Sequence, residues 1–154
     1  MTRLPALSTT VSRPLTQTPG PPRVWTAVVT ADRAYYDSVQ AENDQDAALI
    51  RFPAHIPERR FVLSGSEVSI GRRSVSRHIE PEIDLTGPPA DPGVSRLHAV
   101  LVAGPDRNWS VIDSGSPNGI LVNGREVPPG QAVPLRDGDR IHLGAWTVIT
   151  LTRS

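Results

Sequence analysis

The chain has 154 residues, with 16 basic and 16 acidic side chains and a formal net charge of zero. Every basic residue is arginine, cysteine is absent and the single methionine is Met1. Without lysine there is no P-loop, kinase or Schiff-base lysine. Without cysteine there is no thiol nucleophile, disulfide, iron–sulfur site or Cys-based zinc site. The balanced charge argues against a general nucleic-acid or membrane-surface binder, since both draw on excess positive charge.

Residues 1–23 hold five prolines and seven Ser/Thr with few large apolar groups. Such a segment cannot bury enough surface to offset its ordering entropy, so a disordered tail or linker is expected there. It lacks the charged start and apolar run of a secretory signal, and no run of about 18 apolar residues occurs anywhere. The expectation is a cytoplasmic protein with no direct membrane insertion.

From Val24 to Ser154 the texture is that of one β-rich domain. Short β-branched runs recur at 24–30, 61–63, 67–71, 97–102, 108–113, 120–124, 132–135, 139–144 and 146–152. Several alternate apolar and polar residues with period two, as half-buried strands do. Gly104-Pro105-Asp106, Asn118-Gly119, Asn123-Gly124 and Asp137-Gly138-Asp139 supply turn chemistry between them. The pattern predicts an all-β, antiparallel sandwich or barrel. Trp25, Trp109 and Trp146 fall inside the apolar runs and read as core aromatics. Only 33–43 has a composition that permits a helix, and its tyrosines and valine make no clean 3.6-residue stripe. Five acids crowd residues 32–46. They lack the glycine and terminal glutamate of an EF-hand loop, and no metal or cofactor is expected.

Three motifs follow one another, each at the end of a predicted strand: 70-IGRR-73, 95-SRLH-98 and 113-DSGSPNG-119. In a sandwich, the loops of one end cluster and can build a joint site. Arginine beside glycine lets a planar, permanently charged fork reach out where the backbone turns closely. A serine hydroxyl and nearby N–H groups add donors, and asparagine can grip an extended peptide backbone. Arg, Ser and Asn from three loops make a donor-rich pocket suited to a phosphate dianion on a peptide. Ser, His and Asp are all present, but 115-GSPNG-119 is not a Gly-x-Ser-x-Gly elbow, and no enzyme is expected.

The ordered set Gly71-Arg72, Ser95-Arg96-Leu97-His98, Asp113 to Gly119, Val122-Asn123-Gly124 and Leu135 to Gly144 resembles a forkhead-associated (FHA) domain over roughly residues 24–152. The resemblance implies a sandwich of about eleven strands that binds phosphothreonine peptides without catalysis. It implies that Arg72 bridges the phosphate oxygens, that Ser95 donates its hydroxyl, that Arg96 adds a second contact and that Asn118 holds the peptide main chain. Gly71, His98 and Gly119 would be architectural, and Asn123 a turn or loop support. Arg73 and Arg77, in the long 73–94 connection, are flanking candidates that could favour an acidic peptide residue.

The implied partners are a phosphothreonine-containing protein, as a Ser/Thr kinase or its substrate, or the chain's own tail phosphorylated at Thr16 or Thr18. Pro117 departs from the family pattern, where Thr often precedes the Asn, and it has neither hydroxyl nor N–H to offer. It motivates an alternative, a phosphate-independent assembly module with a weakened pocket.

Overall fold

In a computed structural model that describes residues 24–42 and 50–154, the chain forms eleven strands and one helix. In order they are β1 (Trp25–Ala31), α1 (Arg33–Glu42), β2 (Arg59–Val62), β3 (Glu67–Gly71), β4 (Ile83–Asp84), β5 (Ala99–Ala103), β6 (Trp109–Asp113), β7 (Ile120–Val122), β8 (Arg125–Glu126), β9 (Val133–Pro134), β10 (Arg140–Leu143) and β11 (Thr147–Arg153). The expected tail, with Thr16 and Thr18, lies outside the described residues.

Two sheets face each other, one ordered β2-β1-β11-β10-β7-β8 and the other β4-β3-β5-β6-β9. The period-two pattern has its physical cause in the pleat. Along β6, Trp109, Val111 and Asp113 are buried while Ser110 and Ile112 are half-buried. Ile70, Leu101 and Val111 of one sheet and Ile141, Ile149 and Leu151 of the other are fully buried in the shared core. Trp25 and Trp109 join that core. Trp146 is also buried, but in the β10–β11 turn, where its carbonyl accepts the Asp32 N–H at 2.9 Å.

Two features depart from the sequence reading. The sandwich is not wholly antiparallel: β3 and β4 pair in parallel through Ile70↔Ile83 and Gly71↔Asp84. Parallel neighbours need a crossover, and residues 72–82 supply it. The weakly signalled helix does form, because polar groups anchor it rather than an apolar stripe. Asp32 caps α1 by accepting the Ala34 N–H at 3.0 Å and the Tyr35 N–H at 3.2 Å. Its other oxygen takes Nε2 of His142 at 2.8 Å and Nη2 of Arg140 at 3.1 Å. Tyr35 donates its hydroxyl to the Gly144 carbonyl at 2.9 Å and lies against the His142 ring, with centroids 4.7 Å apart. The helix is thereby fastened over the strand β10 face that carries His142. Among the described residues no helix is long and apolar enough to cross a membrane.

Candidate functional site

The β3–β4, β4–β5, β6–β7 and β10–β11 connections meet at one end of the sandwich. Gly71 sets the closest approach. A Cβ there would lie 2.1 Å from the Arg96 carbonyl oxygen, so only glycine lets β3 pass the 95–96 loop. The Arg72 N–H donates to both the Ser95 and Arg96 carbonyls at 3.2 Å, and the His98 N–H donates to Ile70 at 2.9 Å. The main chains of Gly71-Arg72 and Ser95-Arg96 are thus clamped together.

The side chains of Arg72 and Arg96 open onto a cavity of about 240 Å³ lined by Arg72, Arg73, Ser74, Thr86, Ala90 and Arg96, and Ser95 is not part of that lining. Among the described residues, three arginines line it and no carboxylate does. Among the described residues none of the three makes an ion pair. Arg72 Nε is buried with no hydrogen-bond partner, a donor left unused inside the protein. No described group takes the Ser95 hydroxyl. Arg73 is held from below: its N–H donates to the Thr86 hydroxyl at 2.8 Å, and that hydroxyl donates to Asp84 at 2.5 Å. Burial alone would raise the Asp84 pKa. The Thr86 hydroxyl and N–H, and then the Arg73 N–H and charge, outweigh it and hold the carboxyl below its usual range.

His98 ties the next loops. It is fully buried. The Ser95 N–H donates to its Nδ1 at 3.0 Å, so Nε2 carries the ring proton and donates to the Gly119 carbonyl at 2.9 Å. Burial holds its pKa below the usual histidine value, which keeps this neutral tautomer. One ring therefore fixes the spacing between Ser95 and the Asn118-Gly119 corner. Asn118 closes the same gap from outside, donating its amide to the Gly93 carbonyl at 2.9 Å. Asp113 shapes the corner by accepting the Gly115 and Ser116 N–H groups at 3.2 and 3.1 Å and the Ser116 hydroxyl at 2.8 Å.

The remaining candidates separate. Arg77 is exposed in a turn closed by the Ser74–Ile79 bridge and does not line the arginine cavity. Asn123 lies at the other end of β7. With φ of 50° and 84°, Asn123 and Gly124 form the two-residue turn to β8. Asn123 also pairs with Asp139 at 2.9 Å and accepts the Arg140 N–H at 3.0 Å.

The sequence reading passed over Asp91. Its buried carboxylate accepts the N–H groups of Gly93, Ala145, Trp146 and Thr147 and the Thr147 hydroxyl, at 2.7 to 3.2 Å. It latches the β4–β5 loop to the β10–β11 turn across the two sheets. The 91-DPG-93 tripeptide signals a turn, but apart from Gly93 the side-chain partners of Asp91 lie more than fifty residues away.

The FHA domain model matches residues 68–144, half of the chain, and the chain belongs to that family. The E3 ubiquitin-protein ligase rnf8 of Danio rerio is 35% identical over 79 residues, covering 51% of this chain and 15% of that protein. The chain thus spans only a small part of this curated relative. The structure of yeast Pml1p superposes with a TM-score of 0.61 at 17% identity, covering 91% of this chain and 88% of that one. A structure from a study of phosphothreonine-dependent FHA domain interactions superposes with a TM-score of 0.51 at 24% identity, covering 82% and 95%. Both likenesses concern the fold.

Proposed function

We propose that this domain binds phosphothreonine-bearing segments of partner proteins and does no chemistry on them. The observation that carries the reading is the arginine cavity: among the described residues Arg72, Arg73 and Arg96 line it without a carboxylate, and Arg72 Nε is buried and unpaired. A buried charged donor with no partner is costly, and a phosphate oxygen satisfies it. Arg72 bridges the phosphate, the Ser95 hydroxyl donates to it, and Arg96 supplies a second contact. Asn118, with its amide nitrogen on Gly93, offers Oδ1 to a peptide N–H. Membership of the FHA family and the phosphothreonine-dependent interactions named for a solved relative support the same assignment.

The partner is a protein phosphorylated by a Ser/Thr kinase, or that kinase itself. Calorimetric titration with matched phosphothreonine, phosphoserine and threonine peptides tests this, with tight binding expected for the first alone. Arg72→Ala should weaken binding by about tenfold to a hundredfold, since each charge-assisted bond is worth roughly 1.5–3 kcal/mol. Equal affinity for all three peptides, or partner binding untouched by Arg72→Ala, would instead establish the phosphate-independent module that Pro117 suggests.

A further inference from the structure

A second and larger cavity, of about 520 Å³, adjoins the Asn118 corner. Its walls come from α1, β7, the β6–β7 loop and the segment after β8. Tyr35, Val39, Ile50, Leu121, Val127 and Pro129 give it apolar surface, and Asn118 and Gly93 form one rim. Among the described residues, Glu42 and Glu126 are the charged groups along it besides the buried, hydrogen-bonded Asp113, and no arginine lines it. Its electrostatics are the inverse of the arginine cavity's, which holds three cations and no acid among the described residues.

The two cavities are joined by the short segment from Ala90 to Arg96. Ala90 and Arg96 line the arginine cavity, whereas Gly93 lines the groove and accepts the Asn118 amide at 2.9 Å. A peptide held at Asn118 with its phosphate among the arginines therefore has the groove beside its path. Helix α1 makes the outer wall, and the Asp32 and Tyr35 contacts described above fasten it there.

We propose that α1 is a specificity element: the bound phosphopeptide seats an apolar side chain in this groove, and Glu42 and Glu126 select against an acidic one. The inference rests on the phosphothreonine reading and adds to it the class of sequence that is recognised. It assigns selectivity to α1 and β7 in place of Arg73 and Arg77. Size suits a side chain, since pockets of a few hundred Å³ are the usual scale for specific seating. Charge suits it as well, because an aspartate brought between two glutamates meets repulsion with no compensating cation.

The test is a scan of one phosphothreonine peptide in which each position within four residues of the phosphate is made Leu, Ala or Asp in turn. Binding to the full chain is measured by calorimetry. One position should bind Leu about tenfold more tightly than Ala, and Asp more weakly than Ala, the scale of burying one apolar side chain. Val39→Glu on the helix and Leu121→Glu on the strand should each bring the Leu-to-Ala ratio to about one. The double variant Glu42→Gln, Glu126→Gln should narrow the Asp penalty. Thermal melting checks each fold, and Val39→Glu keeps the test open should the strand variant not fold. Affinities that agree within twofold for Leu, Ala and Asp at every position would overturn the proposal, as would a Leu preference that survives both groove variants. In either case the phosphothreonine-to-threonine ratio on the Ala peptide reports separately on the phosphate site. Its collapse would count against the phosphothreonine reading itself.

Discussion

Arg72 is tethered by its main chain and unpaired at its side chain, and Gly71 is what permits the tether. Gly71→Ala would force a Cβ to 2.1 Å from the Arg96 carbonyl, so β3 or the 95–96 loop must shift. The variant should lose roughly 1–3 kcal/mol of stability, the usual cost of overpacking, and its phosphopeptide affinity should fall with it. Chemical denaturation and calorimetry on the same sample check both. His98 sets a pH limit. Its folded-state pKa lies below 6.5, so below about that pH the unfolded chain binds the proton more readily. The stability contributed by the neutral ring is present above pH 6.5 and is lost as pH falls through the folded value. Urea midpoints should decline from pH 7 to pH 5 more steeply in the natural chain than in His98→Asn. Arg72, Ser95, Arg96 and Asn118 could be singled out as candidates in the sequence because their identities and order form a motif. The unpaired Nε of Arg72 could not, because it depends on which groups fail to come near.

At the scale of elements, Asp91 and Asp32 do similar work with different audiences. Each is a carboxylate that organises main-chain donors at an element's end. Asp91 faces three buried N–H groups, a half-buried one and a hydroxyl, so removing it leaves several polar groups unsatisfied at once. Asp91→Ala should cost about 3 kcal/mol or more, since each buried donor left unsatisfied costs roughly 1–3 kcal/mol. Asp91→Asn, which returns one acceptor, should recover part of that on thermal melting. Neither aspartate was legible as an organiser, since most partners of Asp91 lie in and just after the β10–β11 turn and those of Asp32 include His142. The long strands were legible from alternation. The two-residue β4 and β8 were not, because two residues carry no period. Helix α1 escaped a stripe-based reading for the same reason that it matters: its attachment is polar.

The whole molecule balances its charge while concentrating three arginines at one cavity. Binding there should be local in its electrostatics. Raising NaCl from about 0.1 to 1 M shortens the screening length from about 10 to 3 Å, and phosphopeptide affinity should fall severalfold while the fold's denaturation midpoint stays nearly constant. The arginine-only composition gives no indication of that concentration, which arises because a parallel crossover and two loops converge at one end of the sandwich.

The pairing of β1 with β11 has a consequence for any longer chain that carries this domain. Trp25 lies opposite Arg153, and the Ser154 N–H donates to the Val24 carbonyl at 3.0 Å. The polypeptide enters and leaves through a single corner. That corner is one length of β11, about 20 Å, from the Asp91 latch and the cavities beside it. Tension between the two ends would peel β1 from β11 one bond at a time.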